Sequence, residues 1–337
     1  MEWNDQHLLL VTGATGFVGS HVVDGALAKG VRVRALVQRT SSIKRLQKQG
    51  VEWVSGSMLE PFSLKAALHD VTHVVHAAAK VGDWGDVTSY RQVNVGGLES
   101  LLQAASESRT LQRFVHISSL GVYPAGDHDG TDERQPLSRS GIDGYTLSKV
   151  EAEEELQRFV QREEVPAIIL RPGFIYGPRD RTVLPRIIDR LSRGMVRYIG
   201  DGTTVLNNTY VGNLVDAVFL ALGAEDLIGE AYNIRDPRLV TKREFMETVA
   251  SLGGFAPPQK QLPLPAARRL AAAWEWLWRT IGREEAPLLS QATVKFLGYN
   301  LNFSIEKARH DLGYEPAIDF QDAMKTTMEW FRQKGKV

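Results

Sequence analysis

Short apolar runs alternate with stretches of helical spacing over the first half of the chain. Leu8–Val11 is an apolar run that ends in glycines, the pattern of a strand buried on both faces. Phe17–Lys29 follows with helical periodicity and stops at Gly30. Val31–Val37, Val51–Val54, Val71–His76, Phe114–Ser118 and Val165–Leu170 read as further strands. Ile43–Gln49, Leu64–Leu68, Tyr90–Ser106 and Tyr145–Glu163 read as the helices between them, and Arg171–Pro178 as a Gly/Pro loop. This alternation predicts an α/β chain: a doubly wound parallel sheet with helices on both faces. Beyond about Leu239 helical segments dominate, broken at Ala256–Pro258 and Leu262–Pro265. Residues 1–238 are therefore expected to form the sheet domain, with pieces of a second lobe from about residue 172 on. Residues 239–337 are expected to form mainly that smaller, mostly helical lobe. The sequence contains no internal repeat and no low-complexity tract.

Composition narrows the field. The 337 residues carry 40 basic and 40 acidic side chains, and they lack the basic footprint of a nucleic-acid binder. There is no cysteine, which removes disulfides and thiolate metal sites and fits a cytoplasmic protein. The N-terminus has acids and no basic region before its apolar run, so that run reads as a strand and not as a signal peptide. No stretch reaches the roughly 18 apolar residues of a membrane span. The histidines show no metal-ligand spacing, so no metal is expected; His76 and His116, in strands, read as satisfied buried side chains.

The turn after the first strand reads Thr12-Gly13-Ala14-Thr15-Gly16-Phe17-Val18-Gly19. Gly13 permits a tight turn, Gly16 lets a pyrophosphate approach the backbone, and Gly19 lets the helix pack closely. The helix N-terminus offers free N–H groups and a positive dipole end. A small-molecule dinucleotide site of Rossmann type is expected here. An acid commonly ends the second strand to hold the ribose 2′-hydroxyl. Here Val37 is followed by Gln38 and Arg39, and Arg39 suits a 2′-phosphate, so NADP is preferred over NAD.

Tyr145 and Lys149 lie four apart at the start of a helix, on one face. An ammonium beside a phenol lowers its pKa towards neutrality and makes it a usable acid–base group. Ser119 ends a strand, where open α/β sheets place ligands, and offers a hydroxyl to a substrate oxygen. Ser118 and Ser119 also suit turn bonding.

Together these segments resemble the extended short-chain dehydrogenase/reductases (the NAD-dependent epimerase/dehydratase family). His76-Ala77-Ala78-Ala79 resembles the motif lining the adenine, and Asn94-Val95-Gly96-Gly97 the motif whose asparagine supports the active-site water and lysine. The run from Ser118 to Pro124 resembles the serine motif and points to Ser119. Arg171–Pro178 resembles the loop bordering the nicotinamide, with Pro172 and Gly173 near the cofactor. Ser57-Met58 stands where the family commonly has Asp-Leu near the adenine; Gly97 replaces a frequent threonine and Pro124 a frequent glycine. Gly82–Asp86, Tyr210–Asn213 and Asn302–Pro316 resemble the 3β-hydroxysteroid dehydrogenase and β-keto acid reductase group. Ile199–Gly202 and Tyr210-Val211 also resemble nucleotide-sugar epimerases and dehydratases, but Leu206 occupies the place of their diphosphate-binding arginine.

The resemblance implies hydride transfer between NAD(P) and a secondary alcohol or ketone, with Tyr145, Lys149, Ser119 and Asn94 catalytic and a possible homodimer. An epimerase/dehydratase and a non-catalytic NADP sensor stay open as alternatives. The tryptophan-rich segment 268–282 places Leu270, Trp274, Leu277 and Ile281 on one helical face. That face fits a core-facing lid, the wall of an apolar substrate cleft, or a membrane surface, and the cleft is the expectation. The acidic cluster Glu151–Glu155 reads as a solvated helix face.

Overall fold

Seven strands form one parallel sheet in the computed structural model, which describes residues 3–140, 143–283 and 285–337. They are β1 (Leu8–Thr12), β2 (Arg32–Val37), β3 (Glu52–Ser55), β4 (His73–His76), β5 (Arg113–Ile117), β6 (Ala167–Pro172) and β7 (Ala231–Ile234). Their order is β7-β6-β5-β4-β1-β2-β3. Every neighbouring pair is parallel. The winding reverses between β1 and β4, which opens a crevice at their carboxyl ends.

Alternate residues of each strand feed opposite faces. Val11, Val75 and Val115 pack under α1 (Phe17–Ala28) and α4 (Val211–Gly223) through Val22, Ala26, Leu214 and Val218. Leu10, Val74, Phe114 and Ile169 pack under α2 (Gly97–Ser106) and α3 (Gly144–Gln161) through Leu98, Leu102, Ala152 and Leu156. Burying a side chain of this size contributes about 1.5–3 kcal/mol, so these two layers carry the domain.

The six strands read from the apolar pattern are all present, and three features differ from that reading. β7 has no long apolar run of its own; it forms because β6 supplies a ladder. The expected loop Arg171–Pro178 is strand for part of its length, since Phe174–Tyr176 pairs in parallel with Asn208–Tyr210. The expected helix Tyr90–Ser106 is interrupted: Val87–Arg91 is α-helical, Gln92–Gly96 is a π-helical turn, and α2 follows. Such a turn marks functional sites because it re-aims side chains, and Asn94 lies within it.

The second lobe is built on Tyr176, Tyr198, Tyr210, Phe245, Phe320 and Phe331. It includes helices Lys242–Gly253 and Phe320–Gln333, and also α5 (Leu264–Thr280) and α6 (Gln291–Gly298). The chain beyond residue 239 also contributes to the first half, because Ile305, Ala308, Leu312 and Tyr314 join the core under α4.

Asp236 ties the halves together just after β7. Its carboxylate is fully buried and accepts from Tyr210 N (2.7 Å), Asn213 Nδ2 (2.8 Å), Asn208 Nδ2 (2.8 Å) and the Tyr176 hydroxyl (2.9 Å). Asp236→Leu orphans all four donors and is expected to cost about 3–5 kcal/mol, read as a fall in the urea midpoint at unchanged slope.

Candidate active site

The glycine turn is shaped by contacts that exclude side chains. Gly13 has φ +71°, and a Cβ there would lie 2.8 Å from Ala78 N. A Cβ on Gly19 would lie 2.2 Å from Gly13 O, so Gly19 lets α1 close on the turn itself. Gly16 is the N-cap of α1 in extended conformation with no side-chain cap, which leaves the first-turn amides to an anion. Thr12 and Ala77-Ala78 are joined: Ala77 N donates to Thr12 O (3.3 Å) and Ala78 N to Thr12 Oγ1 (3.3 Å). Thr12–Gly19 and Ala77–Ala79 therefore line one backbone cradle of the kind a dinucleotide needs.

The outer residues of that site fall into two groups. Gln38 and Arg39 follow β2 and are exposed, and among the described residues no carboxylate pairs with Arg39. Ser57 is held in a turn: its hydroxyl accepts from Leu59 N (3.2 Å), and its amide donates to Ser63 Oγ (3.3 Å). Met58 fills the space left by Gly97, where a Cβ would lie 3.0 Å from Met58 Cβ. The two departures from the family pattern thus compensate each other sterically.

Tyr145, Ser119 and Lys149 gather at the carboxyl end of β5. Asp143 caps α3 by accepting from Thr146 N (2.7 Å), which starts the helix one residue before Tyr145. The Ser119 hydroxyl faces the Tyr145 phenol. Ser118 instead donates to Glu153, so the geometry separates the two serines. Lys149 is buried and donates to Ile117 O (2.7 Å). The expected effect of Lys149 on Tyr145 is absent in this arrangement. Burial pushes the phenol up to about 12, Asp143 adds to that, and Ser119 opposes it. The lysine ammonium is directed at a carbonyl instead, and burial brings it down to about 8.

Asn94 is buried and does not reach Lys149. Its Oδ1 accepts from Lys80 N (2.7 Å), and its Nδ2 donates to Lys80 O (3.0 Å) and Ser148 Oγ (2.9 Å). It thereby pins the loop after β4 to α3. Gly173 is demanded by the lobe, since a Cβ would lie 1.9 Å from Asn207 O; Pro172 ends β6 beside it.

Three expectations need correction. Glu153 is not part of a solvated face: it is 2% exposed and forms an ion pair with Arg171, itself 6% exposed. Its signal was the four-residue spacing from Lys149, which puts it on the inward face. Tyr123 extends the pair, accepting from Arg171 Nη1 (2.8 Å) and donating to Asn233 Oδ1 (2.9 Å). His116 is not a satisfied histidine. It stacks on His76 at 5.3 Å, but neither of its ring nitrogens has a partner, whereas His76 bonds Thr12 Oγ1 at 2.8 Å. Burial and the nearby Lys149 keep both rings neutral. Finally, of the three readings of segment 268–282 the core-facing lid fails, because Leu270 and Leu277 of α5 and Ile281 just after it are exposed. The helix buries Ala267, Ala271 and Glu275, because alanines let it lie close against α6.

Glu153 holds the Lys149 pKa up, so Glu153→Gln should lower it below about 8 and move the alkaline limb of kcat/KM to lower pH. The same change should cost about 3–5 kcal/mol of stability, which the double variant Glu153→Met/Arg171→Met recovers in thermal unfolding.

Residues 9–234 match the NAD dependent epimerase/dehydratase family. A 2-alkyl-3-oxoalkanoate reductase of Stenotrophomonas maltophilia is 30% identical over 94% of this chain and 97% of its own. A 3 beta-hydroxysteroid dehydrogenase/Delta 5→4-isomerase of Mycobacterium tuberculosis is 33% identical over 96% of this chain and 90% of its own. The crystal structure of gox2253 superimposes with a TM-score of 0.83 at 32% identity, covering 98% of this chain and 99% of that one. The chain belongs to the NAD dependent epimerase/dehydratase family, among the extended short-chain dehydrogenase/reductases, and is an NAD(P)-dependent oxidoreductase.

Proposed function

We propose that the protein reduces an apolar ketone, sterol-like or a long-chain β-keto acid, to the secondary alcohol, with NADPH as the preferred reductant. The observation that carries this reading is Leu206. It occupies the place where nucleotide-sugar enzymes resembling this chain carry a diphosphate-binding arginine, and it is 2% exposed in the core of the second lobe. A diphosphate there would have no bidentate partner. Of Arg179, Arg181 and Arg186, which could compensate, Arg179 is paired with Asp24 at 2.7 Å, whereas Arg181 and Arg186 are exposed. The names of the reductase and steroid dehydrogenase relatives support the same substrate class.

The chemistry follows from the phenol. A nicotinamide cofactor held in the glycine cradle supplies the hydride that reduces the carbonyl carbon. Tyr145 gives its proton to the carbonyl oxygen, which becomes the hydroxyl, and the phenolate left behind is reprotonated from solvent. Ser119 holds that oxygen by a hydrogen bond and stabilises the charge that develops on it. Lys149 would hold the ribose of a bound cofactor; Asn94 keeps α3 and the loop after β4 in register for this. A phenol near 12 is fully protonated at neutral pH but a weak acid there, so its proton transfer relies on the charge stabilisation at the substrate oxygen. Arg39 pairs with the 2′-phosphate. In this reading residues 1–238 hold mainly the cofactor and 239–337 mainly the substrate. The enzyme works in the cytoplasm as a homodimer that pairs through Tyr90–Ser106 and Tyr145–Glu163.

A stopped assay of NADPH and NADH oxidation against sterol ketones, β-keto acids and nucleotide sugars tests the reading. Net NADPH consumption with an apolar ketone is expected; conversion of a nucleotide sugar without net cofactor turnover would overturn it. Tyr145→Phe should lower kcat by about 10²–10⁴-fold with cofactor affinity retained. Ketone reduction should hold steady to about pH 7 and be half lost near pH 8 as Lys149 loses its proton, whereas alcohol oxidation should rise with pH as the phenolate fraction grows. Arg39→Asp should reduce the NADPH-over-NADH preference at least about tenfold, the loss of one charge-assisted contact, measured as a ratio of kcat/KM.

A further inference from the structure

The outer face of α5 is apolar, exposed and flanked by arginines. Leu270 is 44% exposed, Leu277 42%, Ile281 54% and Trp276 70%. Arg268, Arg269, Arg279 and Arg283 are all exposed. The single carboxylate of the helix, Glu275, is turned inward, where it accepts from Gln291 N (2.6 Å) and Gln291 Nε2 (2.9 Å). The exposed charges of α5 itself are three cations, Arg269 nearest the leucines and Arg268 and Arg279 on the far edge; beyond it exposed Arg283 is followed by exposed Glu285.

The end of α5 and the segment after it are joined to loops beside the candidate active site. Trp84 Nε1 donates to Arg283 O (3.0 Å), Ser290 donates to Asp83 (2.8 Å), and Arg279 lies over the Trp84 ring at 5.6 Å. These bonds fasten the segment after α5 to the loop after β4, the loop that Asn94 pins to α3. Val81 on that loop is 57% exposed and Leu288 on the segment 56%. Lys295 of α6 then donates to Gly121 O (2.9 Å) and Tyr123 O (3.0 Å), in the turn that follows Ser119.

We infer that α5 seats the protein on the surface of an anionic lipid bilayer, with Leu270, Leu277 and Ile281 among the acyl chains and the arginines at the headgroups. Tryptophan and arginine are the side chains suited to that depth, the ring at the interface and the guanidinium on phosphate. A second copy of the chain fits the face less well, because a two-fold pairing would set the arginine clusters against each other. The seating goes beyond the ketone-reductase reading and rests on it only for its purpose. An apolar substrate partitions into the bilayer, and a cleft that opens beside the lipid-facing helix draws on that pool instead of on the dilute aqueous one.

The test is co-sedimentation of the full chain with phosphatidylcholine vesicles, with and without phosphatidylglycerol. Binding to the anionic vesicles that weakens with added salt is expected, with little binding to phosphatidylcholine alone. Leu277→Glu/Ile281→Glu should abolish it while leaving the thermal unfolding midpoint and turnover of a water-soluble ketone unchanged. Arg268→Gln/Arg269→Gln should weaken it by about thirtyfold, the effect of two surface cations. No binding to anionic vesicles, or equal binding by Leu277→Glu/Ile281→Glu, overturns the proposal. So does a concentration-dependent dimer that the same double variant dissolves. Vesicle binding is read without any substrate, so failure of the ketone reading would leave it standing, and the reverse holds too.

Discussion

The buried ion pair between Glu153 and Arg171 is the constraint on which the candidate site depends. Glu153 belongs to the helix that carries Tyr145 and Lys149, and Arg171 to the strand beside the serine strand. The pair also takes the Ser118 hydroxyl and, through Arg171, the Tyr123 hydroxyl. Two buried charges are costly to bring out of water and stay only when their remaining bonds are satisfied. That requirement fixes the distance between helix, strand end and serine turn. It leaves Ser119, and not its neighbour, to meet the phenol.

The electrostatics of the site follow from its depth. Burial works against every charge there: the phenol rises, the lysine falls, and the stacked histidines stay neutral. Glu153 alone pulls the lysine back towards its charged form. At neutral pH the Tyr145 phenol therefore keeps its proton, and the Lys149 ammonium is held against the Ile117 carbonyl.

Much of this was legible in the order of residues. A cradle for a pyrophosphate demands backbone without side chains, so its glycines stand at fixed spacing, and Gly13 and Gly19 make backbone approaches that any Cβ would block. The five interior strands are covered by helices on both faces and show as mainly apolar runs, and the edge strand β3 shows as a sixth although it is largely exposed. The pair Tyr145 and Lys149 is visible because a helix turns once in about four residues. Less legible were elements whose identity comes from a partner. β7 exists because β6 offers it a ladder, and Phe174–Tyr176 because Asn208–Tyr210 does.

The sequence by itself determined the fold class, the glycine turn after β1 and the one-turn spacing of Tyr145 and Lys149, because each depends on residues close along the chain. Only the tertiary structure decided that Ser118 is tied to Glu153, that Glu153 is a buried partner and not a solvated acid, and which way the tryptophan-rich helix turns. Those outcomes depend on residues far apart in the chain: Arg171 for Glu153, α6 for α5. Helical periodicity marks a face as apolar, but whether that face meets protein or water is settled by what packs on the opposite side. In α5 two alanines and one carboxylate took the inner position and left the larger apolar side chains outside.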